Sequence, residues 1–243
     1  MISLEFRRIN YRFSWKSSII FIIFCPLTAF CIIMITNYFW LYFFPLYIFP
    51  AGILTSIFVG KICTISLNTN YTLQVPDSVG VYFTLGCSPY PAIVLFLAIC
   101  LIAPHNKIRG MNKNIWKRKI LTFIISSIII FIVNSFRIAI TIYLYHIGTP
   151  YYPMHDILEY ITTFIAVFTF FICTYSWLPE ILISGIWNIE SIKNKVSKRH
   201  SLEIKNMSHQ VKKIKINYIL LFWMPICIFI GTGLSILVYQ KIF

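Results

Sequence analysis

Three residue types in this chain, read in order, can do nucleophilic chemistry: a thiol at Cys87, a guanidinium at Arg137 and an imidazole at His155. Arg137 is the sharpest anomaly, because it interrupts an apolar run. A charge at such depth costs about 2.5 to 3.5 kcal/mol on the lenient insertion scale. It precedes Tyr145 by eight residues, which puts it about 12 Å below that end of a helix. Asn134, three residues earlier, shares its face, so two polar groups point the same way. The structural alternative is an Arg that snorkels or pairs. Cys87 is followed by Ser88 and Pro89, the usual pairing of N-cap and first helical position. A thiol at a helix N-terminus meets a dipole that favours the thiolate, the nucleophilic form. The plainer reading of Cys87 is a cysteine flanking a cap.

Five histidines occur. His105, His200 and His209 lie in basic segments, which leaves His146 and His155 between two apolar runs. His155 is read as directly preceding the fifth run, beside Asp156, where it can accept the thiol proton while the adjacent segment orients its ring. Asp156 serves equally well as a cap of that helix. No CxxC pair or metal-ligand spacing is present, so no metal and no cofactor are expected. Cys25, Cys31, Cys100, Cys173 and Cys227 sit inside apolar runs as packing residues, and Cys63 lies at a span end.

The elements that must position these groups follow from composition. The chain is 243 residues long, 58% hydrophobic and 12% charged, with a mean hydropathy of +0.79. Charged residues make up roughly a quarter of a soluble domain, so most of this chain belongs in a bilayer. Runs of about 18 apolar residues cross a hydrocarbon core as helices, because no water there satisfies an open strand. The fold class is therefore read as all-α: a polytopic transmembrane helical bundle with about six spans. The runs are Ser18–Thr36, Phe39–Gly60, Pro91–Ala103, Ile120–Tyr145, Ile157–Leu178 and Ile219–Tyr239. The first carries no small-residue cleavage site and reads as a retained span. The polar stretch Lys61–Gly80 must lie in water or at the interface. Within it Tyr71–Val75 and Val81–Leu85 flank a Pro-Asp-Ser-Val-Gly turn, which suggests a short outer hairpin before the Cys87 helix.

The net charge of +14 would suggest nucleic acid in a soluble protein, but its placement makes that partner a poor second explanation. Of the 21 Lys and Arg residues, all but Lys61, Arg137 and Lys241 fall in three blocks: Arg7 to Lys16, Lys107 to Lys119, and Lys193 to Lys215. Clusters beside apolar spans mark cytoplasmic loops. The Cys87 segment and the loop His146–Asp156 then lie outside, in a multi-pass protein of the cell membrane. The N-terminal block disagrees, since two crossings between it and Lys61 return Lys61 to the inside. Either the N-terminus is outside, or residues 18–60 make an odd number of crossings. Ser184–Lys215 has apolar residues at Ile189, Ile192, Val196, Leu202, Ile204, Met207 and Val211 among basic ones, an amphipathic helix on the inner surface. Three regions result: an embedded core, 1–178; a basic cytoplasmic segment, 179–216; and a C-terminal transmembrane helix, 217–243.

Gly-Cys-Ser at 86–88 heading one span, Asn-Ser-Phe-Arg-Ile at 134–138 inside the next and His-Asp at 155–156 opening a third resemble the exosortase and archaeosortase family in order and spacing. The resemblance covers roughly residues 45–178. It implies a membrane-embedded cysteine peptidase or transpeptidase with Cys87 as nucleophile and Arg137 and His155 as its partners. Asn134, Ser88 and Asp156 are then read as substrate-binding or supporting residues. Family members cut C-terminal sorting signals from exported, membrane-anchored proteins, and some transfer the new end to an acceptor. The chain departs from the family pattern at Pro89 and at Leu158–Tyr160, where a Gly is usual. Two rivals remain: a transporter, with Arg137 and Asn134 binding an anionic solute, and an assembly factor, with Arg137 paired to a partner helix.

Overall fold

The computed structural model describes residues 2–67, 71–76, 80–83, 87–108, 112–200 and 212–215. The last apolar run, Ile219–Tyr239, and with it the expected C-terminal transmembrane helix, lies outside the described residues. So does the stretch 201–211 of the basic segment. Six helices are described: α1 (Trp15–Phe43), α2 (Pro45–Val59), α3 (Tyr90–Ile102), α4 (Ile115–His146), α5 (Tyr151–Trp177) and α6 (Glu180–His200). The chain is mostly helical, as expected, and six short strands accompany the helices among the described residues. These are β1 (Ile2–Phe6), β2 (Ile9–Tyr11), β3 (Thr64–Leu67), β4 (Tyr71–Gln74), β5 (Val81–Tyr82) and β6 (Lys212–Lys215), in two three-stranded sheets.

Among the described residues, three helical segments are long and apolar enough to cross a membrane: Trp15–Ile35, Ile115–His146 and Met154–Trp177. With 15 residues, α2 reaches about 22 Å, short of a hydrocarbon core about 30 Å thick. With 13 residues, α3 is shorter still. The break expected near Asn37 is absent, and α1 runs on to Phe43. It stops before Pro45, which lacks an N–H to continue the helix but fits the first turn of the next.

The chain divides into two compact units. The first takes the described parts of Met1–Leu27, Ala98–Thr122 and Phe171–Phe243. Here β1 pairs antiparallel with β2 and parallel with β6. The β1–β2 connection is Arg7–Arg8, with φ of 50° and 63°. Two positive values make the mirror-image turn that suits strand twist, at a steric cost to side chains larger than Gly. The Arg7 guanidinium lies over the Tyr175 ring at 4.5 Å. Leu4, Phe6, Tyr11 and Phe13 bury against Ile183 and Trp187 of α6. Thus α6 turns one apolar face to the sheet and leaves Ile189 and Ile192 exposed. The amphipathic helix expected over Ser184–Lys215 is helical as far as His200 and is corrected at Lys212–Lys215, which is the strand β6.

Two cations of the basic blocks are built into this unit. Lys119 is buried, and its ammonium donates to the Leu101 and Ala103 carbonyls at 2.9 and 3.1 Å, capping the C-terminus of α3. Arg118 makes a two-pronged pair with Glu180, at 3.1 and 2.7 Å, and also donates to the Trp177 carbonyl. The Glu180 side chain is 2% exposed, so Glu180→Ala strands a partly buried guanidinium. Thermal unfolding in detergent should show the variant destabilised by about 3 kcal/mol. An unchanged midpoint would mean that water replaces the carboxylate without cost.

The second unit takes the described parts of Thr28–Leu97 and Phe123–Phe170. β4 lies between β3 and β5, antiparallel to both, with Leu73 opposite Ile65 and Val81. The hairpin expected from Tyr71 to Leu85 is therefore present in its described part, with β3 added. Leu73, Val75 and Phe83 pack with Phe44, Ile48 and Ala51 and with Ile138 and Ile142 of α4. Gly52 permits this approach, since a Cβ there would stand 3.1 Å from the Ile65 side chain. A second cluster joins Phe96, Ile130 and Ala166, and the Phe96 and Phe170 rings stack at 4.0 Å.

Candidate active site

One face of α4, all of it in the second unit, supplies the first wall. Asn134, Arg137, Ile138, Thr141 and Ile142 recur at helical spacing and are all buried. Arg137 is 8% exposed, and among the described residues no acidic side chain is paired with it. A buried guanidinium without a carboxylate partner is costly to hold.

Cys87 begins the short turn that leads into α3. The Asn134 side-chain amide donates to the Cys87 carbonyl at 3.1 Å, across 47 positions of sequence. This bond fixes the thiol-bearing segment to the Arg137 face, and because it uses the backbone it is independent of the side chain at 87. Asn134 is thus a positioning residue. Ser88 is buried, but the helix starts at Tyr90, and Ile93 N–H donates to the Pro89 carbonyl at 3.1 Å. The N-cap place expected for Ser88 passes to Pro89, one residue later.

His155 does not precede α5. The helix starts at Tyr151, because Pro153 is tolerated in a first turn, where its missing N–H would have no partner. Asp156 therefore caps nothing. Instead its Oδ1 lies 3.3 Å from His155 Nδ1, with Glu159 Oε2 at 3.8 Å from the same nitrogen. The imidazole is 22% exposed, while the Asp156 and Glu159 side chains are about half exposed.

These elements converge. Cys87, Arg137 and His155 line one cleft together with Val81, Phe83, Ile138, Thr141 and Ile142. The cleft is narrow, about 10 Å³, close to the space of one water. Val81, Phe83, Ile138, Thr141 and Ile142 of this lining were not read as site residues in the sequence. Thr141 stands one helical turn after Arg137, a spacing that would have exposed it, and its hydroxyl donates to the Arg137 carbonyl at 2.8 Å. Val81 and Phe83 come from the end of the sheet, whose register no sequence pattern fixed. Glu159 stood out only as a departure from the family pattern.

The remaining candidates lie elsewhere. His146 ends α4 and does not line the cleft. His105 belongs to the first unit, where burial and the Lys119 ammonium lower its pKa from the ordinary imidazole value. The side chain of His200 and all of His209 lie outside the description. A larger groove of about 650 Å³ runs along α2, lined by Phe49, Ile53, Ile57, Lys61 and Cys63 among others, with no imidazole or guanidinium. Among the described residues no three His, Cys, Asp or Glu side chains gather as a metal site.

The residue set suits acyl transfer: a nucleophile, a proton acceptor and a fixed positive charge around a space the size of one polar group. Comparison with protein-family models, with curated proteins and with solved structures found no match to the chain.

Proposed function

We propose that the chain is a multi-pass membrane cysteine peptidase or transpeptidase that cuts C-terminal sorting signals from exported, membrane-anchored proteins. The observation that supports it most is the shared cleft of Cys87, Arg137 and His155, three groups from separate elements. The exosortase-like order of their motifs supplies the substrate class. Placement on the outer side rests on charge: Arg137 follows Lys119 by about 27 Å of helix, most of the hydrocarbon thickness, and basic ends stay in the cytoplasm.

In the proposed reaction His155 takes the proton from Cys87 Sγ, and the thiolate adds to the carbonyl carbon of the scissile peptide bond. The oxyanion forms beside Arg137, whose charge is strong in a dry site. The tetrahedral species collapses, the C–N bond breaks, and His155 returns the proton to the leaving amine. Water or an acceptor amine then attacks the thioester, its proton passing through His155 to Cys87. The cleft has room for about one small polar group, such as the carbonyl oxygen on which the oxyanion forms.

The transporter and assembly readings draw less support. Asn134 spends an amide donor on the Cys87 carbonyl, which ties down the thiol segment rather than presenting that amide to a solute. Arg137 is buried within its own unit rather than turned toward a partner helix. The test compares protein C-termini in cells carrying the native chain and a Cys87→Ala chain.

A further inference from the structure

We infer that Glu159 is a second positioning carboxylate for His155, acting with Asp156 to fix which ring nitrogen faces the thiol. The inference rests on the proposed role of His155 as base for Cys87. His155, Asp156 and Glu159 lie on adjoining positions of α5, and both carboxylates approach the same atom, Nδ1, at 3.3 and 3.8 Å. Glu159 is one helical turn from His155, the spacing at which side chains meet, whereas the adjacent Asp156 must bend back to reach the ring. Neither geometry is ideal alone. Two negative groups on one side of the ring favour the tautomer with its proton on Nδ1, which leaves the lone pair on Nε2. When Nε2 takes the Cys87 proton, the imidazolium keeps its Nδ1–H toward the two carboxylates, and their charge stabilises the thiolate–imidazolium pair. This is the part that a single buried carboxylate plays in serine hydrolases. Here two half-exposed ones share it, each weakened by solvent.

The test uses the full chain in detergent micelles and iodoacetamide as probe, with peptide mass spectrometry reading Cys87 and Cys63 separately. Cys63 lies in the same unit and lines the separate groove along α2 rather than the cleft, so a general loosening of the fold moves both thiols while loss of the base slows Cys87 alone. His155→Ala should slow Cys87 relative to Cys63 by about 10²-fold, the scale of a positioned base. Asp156→Asn and Glu159→Gln should each stay within about twofold of the native ratio, since the other carboxylate remains. The double variant should lose about tenfold or more, beyond the product of the two. Both substitutions are isosteric and half exposed, which preserves the fold. A double variant at the native ratio, or an Asp156→Asn chain already as slow as the double, would overturn the role of Glu159 while leaving His155 as base. A native ratio in His155→Ala would instead overturn the thiol–imidazole reading, and this inference with it.

Discussion

A Cys87→Ala chain should accumulate in the membrane at native abundance and leave the C-termini of its substrates uncut, a loss of about 10³-fold or more in processing. Loss of a nucleophile that works as a unit with its base removes nearly all the catalysis that the unit supplies. Abundance should hold because the tie between this segment and α4 runs from the Asn134 amide to the Cys87 carbonyl, which any residue at 87 retains. The Cys87 side chain packs, partly buried, against the surrounding core. Cys87→Ser should restore little, since an alcohol is a far weaker nucleophile at neutral pH than a thiol. Following the mass of a processed protein alongside the amount of chain in the membrane separates catalysis from assembly. Processing that continues in the Ala variant would remove the peptidase reading.

Arg137→Met should lower processing by about 10²- to 10³-fold, the range seen when one donor to a developing oxyanion is removed. The same substitution should raise thermal stability in detergent. The guanidinium is buried beside Ile138 and Ile142 and has no acidic partner among the described residues, so an unbranched apolar side chain of similar length relieves a desolvation cost. The opposite signs are what make the pair of measurements decisive. A structural Arg would lose stability on replacement, and activity would fall only with it. Arg137→Lys keeps a charge but loses the planar fork, and an intermediate rate is expected.

The three chemical residues were legible in the sequence because each breaks the pattern around it. Arg137 is a charge in an apolar run, and Cys87 and His155 sit where polar segments meet apolar ones. Their convergence needed the fold, since Asn134 reaches across to the Cys87 carbonyl and the sheet closes the other wall. The strands were hard to see for local reasons. β1 is five residues long and lies just before the first basic block, although Ile2, Leu4 and Phe6 alternate as a half-buried strand does. β3 was hidden in a segment whose asparagines suggested only a loop. Helix ends were misjudged where apolarity alone was the guide: α5 begins at Tyr151, ahead of the apolar run from Ile157, and Pro45 opens α2 inside the run Phe39–Gly60. That error placed Asp156 at a cap, when its carboxylate is beside the His155 ring. The length of α2 was overread because Phe39–Phe43 belongs to the helix before it.

A covalent species on sulfur is what distinguishes this account from every structural use of the same three residues. Chain isolated rapidly at mildly acidic pH from cells that are exporting protein, then digested and weighed, should yield a Cys87 peptide carrying an acyl adduct that hydroxylamine removes. Processing that proceeds while the Cys87 peptide is found only unmodified, or the adduct found on Cys63 instead, would contradict it.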